Sequence, residues 1–177
     1  MENATQDIRQ QVAVVGAATC ELLRYASDET VIREIFTSLD FFKKEKILFI
    51  LNDRDDPRVV GGFHWSLLVL ERKSAHFRYY DSTRPAKTTV AKQMLKIVSP
   101  FLDKQDIKFT VEECPQQRNS FDCGMYVIEF VRHVLKPPTS ETPPTVVDSD
   151  YIDMERRYWL DIIRSLSSGS KYQSLIF

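Results

Sequence analysis

HWSLLVLERKSAHFRYYD, residues 64–81, divides into two apolar and aromatic runs around a charged centre. Residues 64–70 and 75–81 each predict a β-strand, and Glu71-Arg72-Lys73-Ser74 has the length of a hairpin loop. If Leu70 lies opposite Ala75, residues whose numbers sum to 145 face each other across the ladder. His64 and Asp81 meet that condition. Directly opposed residues have Cβ atoms about 4.5–5.5 Å apart, close enough for an Asp carboxylate to accept a hydrogen bond from an imidazole nitrogen. Such a bond fixes the tautomer and leaves the other ring nitrogen free as a base. An isolated pair of this kind reads more often as a strand-edge histidine and a turn-forming aspartate before Ser82 and Pro85.

Working outward, residues 46–51 hold the apolar run Ile47 to Leu51, which predicts a strand buried on both faces. Residues 52–62 (NDRDDPRVVGG) predict a loop. Residues 2–39 read as helix, with a break at Ser27-Asp28. Downstream, a helix is expected over 88–99, with Val90, Met94, Ile97 and Val98 on one side, then a strand over 107–111. Residues 119–135 open with Asn, Ser and Asp, the residue types that cap helices, and continue with Val127, Ile128, Val131, Val134 and Leu135 at helical spacing. The four prolines of 137–149 predict an exposed loop. A last helix follows, with Ile152, Trp159, Ile163 and Leu166 expected to share its buried face.

Cys123 falls in the opening turn of the 119–135 helix. A helix N-terminus favours negative charge, and the thiolate is the nucleophilic form of cysteine. Taken alone, a helical cysteine is more often a small core residue. Asp122 and Gly124 flank it, and the missing side chain of Gly124 allows a substrate backbone to approach. Acyl transfer also needs donors aimed at the developing oxyanion. Gln117, six residues upstream, is a candidate, although spacing alone does not separate it from an ordinary loop glutamine such as Gln116. Cys20 and Cys114 read as structural, and His76 and His133 as solvent-facing or core-edge residues.

The bulk composition excludes several classes. With 177 residues, 43% hydrophobic and 28% charged, one domain with a core is expected. Lys+Arg 24 against Asp+Glu 25 advertises neither a nucleic-acid face nor a polybasic membrane segment. Three scattered cysteines imply a reducing compartment, cytoplasm or nucleus, and lack the paired spacing of a zinc site. No cofactor or metal is implied. Residues 12–23 have the length of a signal-peptide core, but Glu2 and Asp7 precede them and Glu21 interrupts them, so no cleaved signal is expected.

The strings GGFHWSLLVL (61–70), FRYYDS (77–82) and PQQRNSFDCGMYV (115–127) resemble the Ulp/SENP family of ubiquitin-like-protein cysteine proteases, and most closely its Nedd8-specific, deneddylase branch. The order His, Asp, Gln, Cys is that family's order. The resemblance implies an α+β fold of the papain and adenovirus-protease type, a central mixed sheet flanked by helices with the cysteine starting a central helix. It implies catalytic roles for His64, Asp81, Gln117 and Cys123, with Trp65 covering a narrow channel for a Gly-Gly tail. Gly62, Asn119 and Asp122 are the further substrate-binding candidates. The expected activity is a thiol-dependent peptidase and isopeptidase removing Nedd8, acting as a monomer on conjugates such as cullins. A SUMO-specific protease, a catalytically impaired modifier-binding module and an acyltransferase are the alternatives. The family carries an N-terminal Trp-Leu-Asn-Asp motif that these 177 residues lack, so a single domain without that segment is expected.

Overall fold

Five strands hydrogen-bond side by side in chain order: β1 (Val12–Val15), β2 (Lys46–Asn52), β3 (Trp65–Glu71), β4 (His76–Tyr80) and β5 (Lys108–Val111). The outer pairs β1·β2 and β4·β5 are parallel, and the inner pairs are antiparallel. The helices are α1 (Ala17–Tyr25), α2 (Glu29–Ser38), α3 (Thr89–Val98), α4 (Cys123–Leu135) and α5 (Ser149–Ser167). This computed structural model describes residues 10–54, 62–136 and 147–168.

Alternation along the strands divides the core into two layers. Ile47, Phe49, Leu51, Leu68, Leu70, Phe77 and Tyr79 face α1, α2 and α3, meeting Leu23, Phe36 and Met94. Leu48, Leu67, Val69 and Tyr80 face the other way, onto Met125, Val127 and Phe130 of α4 and Ile152 of α5. Covered on both sides, β2 is apolar at consecutive positions, as residues 46–51 predict.

Three expectations are corrected. Residues 12–15, read as part of a helix, form β1; Val12, Val14 and Val15 are β-branched and pair with β2. After β1 the chain turns helical at Ala17, and Asp28 then caps α2 by accepting from Thr30 N at 2.8 Å. In α5 the buried residues are Ile152, Glu155 and Ile162, whereas Ile163 and Leu166 face solvent. Glu155 can sit on the inner face because Arg132 of α4 meets it at 2.6 Å. That cross-helix ion pair rotates the stripe away from the one hydropathy alone predicts. The Pro-rich loop expected over 137–149 falls mostly on residues outside those described. Its end is not an exposed excursion: Val147 packs on the α4 layer and Ser149 already belongs to α5.

The corrected face of α5 is testable. Ile162→Ala is expected to lower unfolding stability by about 2–5 kcal/mol and Ile163→Ala by less than about 0.5, read from urea denaturation. Equal losses would contradict the assigned face.

Candidate active site

His64 lies one residue before β3 and Asp81 one residue after β4. The β3·β4 ladder pairs Glu71 with His76 and Leu67 with Tyr80, so facing numbers sum to 147 rather than the expected 145. The loop is the cause. Arg72–Ser74 form a 3₁₀ turn and Ala75 closes it at φ 49°, which keeps Glu71 in the ladder. A shift of two preserves which face each side chain occupies. His64 and Asp81 therefore remain on one face as diagonal rather than direct neighbours, and the imidazole spans the gap. His64 Nε2 meets Asp81 Oδ1 at 2.6 Å, with both side chains almost wholly buried.

Asp81 collects donors from the turn that follows it. Thr83 N and Thr83 Oγ1 each donate to Oδ1 at 2.9 Å, and Lys87 N donates to Oδ2 at 2.8 Å. Tyr79 Oη also donates to Oδ2, at 3.2 Å. Burial alone would raise this carboxyl's pKa, but the hydrogen bonds from His64, Lys87 and Thr83 outweigh it and hold the value at about 2.

A second carboxylate, Asp53, went unnoticed in the sequence. Its Oδ1 accepts from Phe63 N at 2.7 Å and His64 N at 2.9 Å, and its Oδ2 pairs with Lys87 Nζ at 3.1 Å. Burial pushes its pKa up, yet those backbone N–H groups and Lys87 carry it below its ordinary value. Asp53 thus fixes the backbone entering His64, while Lys87 contacts both carboxylates. Gly62, at φ 104°, has no room for a side chain: a Cβ there would lie 1.7 Å from Asn52 Oδ1. Asn52 in turn donates to His64 O. The Asn-Asp pair ending β2 was the only signal in the sequence.

Cys123 is the first residue of α4 and is 4% exposed. Asp122 occupies the capping position without capping, because its carboxylate accepts from Asn119 Nδ2 at 2.6 Å and from Arg156 of α5. Asn119 instead accepts from Phe121 N and Asp122 N, shaping the turn into the helix. The N–H groups of the first turn of α4 therefore receive no side-chain cap.

Loop residues 114–122 join the two halves. Gln117 is held from three sides: its N donates to Ser82 O, its Oε1 accepts from Ser82 Oγ at 2.6 Å, and its Nε2 donates to Asn119 O. Gln116 is not the ordinary loop residue expected, since its Nε2 donates to Asp81 O at 3.1 Å and to Cys114 O at 2.9 Å. Cys114 Sγ also donates to Asp81 O, and Cys20 Sγ to Val15 O, which agrees with structural readings of both. Burial raises both thiols, Cys20 to about 12. His76 bonds Thr110, and His133 is exposed on α4, so neither joins the site.

Trp65, next to His64, shares an apolar cavity of about 280 Å³ with Gly124, Val127, Ile128 and Val131 of α4 and with Ile50. A Cβ on Gly124 would meet open space, so the helix start is accessible on that side. The indole both packs against the α4 layer and borders this cavity. Among the described residues no cluster of His, Cys, Asp and Glu could hold a metal, and no helix is long and apolar enough to cross a membrane.

A buried His/Asp bond, a tethered glutamine and a cysteine at an uncapped helix start lie along the chain in the order of a thiol protease. The model of the Ulp1 protease family C-terminal catalytic domain matches residues 23–169. The chain belongs to the Ulp1 protease family. Sentrin-specific protease 8 of Mus musculus is 31% identical over 170 residues, covering 93% of this chain and 76% of that protein. NEDD8-specific protease 1 of Arabidopsis thaliana is 33% identical over 113 residues, 62% of this chain and 49% of that protein. The solved structure of a de-sumoylating protease superposes with a TM-score of 0.58 at 21% identity, over 77% of this chain and 57% of that one. The mixed sheet flanked by helices is thus the Ulp1-type fold.

In this Ulp1-family chain the charged Asp81 should govern acid stability. Its folded pKa of about 2 lies below the ordinary 3.8. The charged form therefore adds stability that is fully present above about pH 4 and lost as pH falls toward 2, about 2 kcal/mol in all. Urea midpoints between pH 4 and 2 should fall more steeply for wild type than for Asp81→Asn. Parallel curves would show that the carboxylate is not held charged.

Proposed function

We propose that this chain is a thiol-dependent peptidase and isopeptidase that releases Nedd8 from target lysines and processes its precursor after Gly-Gly. The observation that carries this reading is the 2.6 Å bond between buried His64 and Asp81 in a chain whose only cysteine on a helix N-terminus lacks a side-chain cap, among the described residues. The relatives called sentrin-specific protease 8 and NEDD8-specific protease 1 support the choice of modifier. The likeness to the de-sumoylating protease carries fold alone.

In the proposed reaction, Cys123 Sγ attacks the carbonyl carbon of the modifier's terminal glycine while His64 Nδ1 takes the thiol proton. Asp81, bonded to Nε2, stabilises the imidazolium. The carbonyl oxygen becomes an oxyanion, met by Cys123 N–H and by Gln117 Nε2, which has a second hydrogen beyond the one given to Asn119 O. The C–N bond then breaks, and His64 returns its proton to the departing lysine amine. Water, deprotonated by His64, hydrolyses the thioester and frees the modifier's carboxylate. Trp65 covers the channel, which only glycines are thin enough to pass, and Gly62, Asn119 and Asp122 hold its walls.

The same proposal has the chain acting as a monomer on conjugates such as cullins, in cytoplasm or nucleus. The free thiols of Cys20, Cys114 and Cys123 support a reducing compartment.

Nedd8 carrying a C-terminal cysteine-trapping electrophile should label wild type and leave Cys123→Ala unlabelled. Binding without labelling by wild type would leave only a modifier-binding module. Separately, Asp81→Asn should retain the fold by circular dichroism yet lose a factor of about 100 or more in kcat. Unchanged turnover would refute the orienting role.

A further inference from the structure

Phe63 is 90% exposed and Phe121 70% exposed, the two highest values for large apolar side chains among the described residues. Their positions are not scattered. Phe63 directly precedes His64, and Phe121 lies two residues before Cys123. With Cα atoms about 3.8 Å apart along the chain, each ring starts within about 8 Å of a residue assigned to the chemistry.

Neither ring is on a loose tether. Phe63 N donates to Asp53 Oδ1 at 2.7 Å, and Phe121 N donates to Asn119 Oδ1 at 3.2 Å. Both backbones are therefore held while both rings stand in solvent. Among the described residues neither ring belongs to either core layer. Exposed apolar groups at a functional cleft mark a surface that is covered when a partner arrives.

We propose that Phe63 and Phe121 are paired apolar contacts, one beside His64 and one two residues from Cys123, that seat apolar side chains of the ubiquitin-like modifier near its C-terminus. This rests on the protease reading above. The modifier rather than the acceptor is the occupant, because it is the part common to every substrate. Acceptor lysines sit on unlike surfaces, whereas two rings on backbones held in advance match a partner of constant shape. The backbone ordering cost is met in the free protein, so less of the gain from burying each ring is lost on binding.

The test uses Phe63→Ala, Phe121→Ala and the double variant, with Ile163→Ala on α5 as an exposed apolar control. Two substrates separate modifier from acceptor: Nedd8 with a C-terminal aminomethylcoumarin, and Nedd8 isopeptide-linked to the lysine of a short Gly-Ser peptide. Each single variant should raise KM about tenfold on both substrates, about 1.4 kcal/mol by the standard conversion. The double variant should raise it further, with kcat within about threefold of wild type and Ile163→Ala unchanged. KM values within twofold of wild type on both substrates would overturn this inference while leaving the protease reading intact. A loss confined to the lysine-peptide substrate would also overturn it, since the rings would then serve the acceptor. Wild type inert toward both substrates would remove the protease reading and this inference with it.

Discussion

A carboxylate has to stay charged at Asp81, in a place with almost no water. Burying an isolated carboxylate costs several kcal/mol, and the group would otherwise take up a proton. Here the imidazole of His64, the hydroxyls of Tyr79 and Thr83, and the backbone N–H groups of Thr83 and Lys87 all converge on its two oxygens. Those donors come from the start of β3, the end of β4 and the turn leading to α3. The sheet and the turn are thus held together by the group that the proposed reaction uses. Its backbone carbonyl is occupied too, by Cys114 and Gln116. The loop that ends at Cys123 is in this way anchored to the residue that orients His64.

The sequence made the partnership of His64 and Asp81 legible through parity rather than register. Side chains alternate along a strand, so two residues can be assigned to one face even if the pairing slips by two. The register itself was not legible, because it turns on Ala75 adopting a left-handed backbone, and an alanine carries no signal for that. Glycine or asparagine there would have given the loop away. The cluster of Asn, Ser and Asp marks the approach to a helix start, but the helix expected from Asn119 begins only at Cys123, and 119–122 form the turn into it. The capping bond was not as expected: Asn119 forms the turn and Asp122 bonds Arg156.

What stayed hidden shares one physical feature. Asp53, Gln116 and the inner face of α5 are all decided by contacts between residues distant in the chain. Asp53 looks like a loop residue until Phe63 and His64 return to it, 10 and 11 positions later. Glu155 looks like solvent-facing charge until Arg132 reaches it from α4. β1 is the contrasting case, because its β-branched valines were visible and the longer helical pattern around them prevailed. Hydropathy periodicity describes a segment against a generic core, and it has no term for a specific buried ion pair.

The last helix therefore reaches further into the site than its distance in sequence suggests. Capping an α-helix with an aspartate contributes about 1 kcal/mol, and α4 forgoes it. Arg156 draws the Asp122 carboxylate aside, and Asn119 holds its second oxygen. Two consequences follow from that one displacement. The loss to α4 is offset by tying α5 to it, alongside the Arg132 bond to Glu155. The helix start is also left with N–H groups that no side chain occupies, at the residue that carries the thiol. A capped helix would be more stable and would aim a carboxylate at the place where the proposed reaction forms its oxyanion.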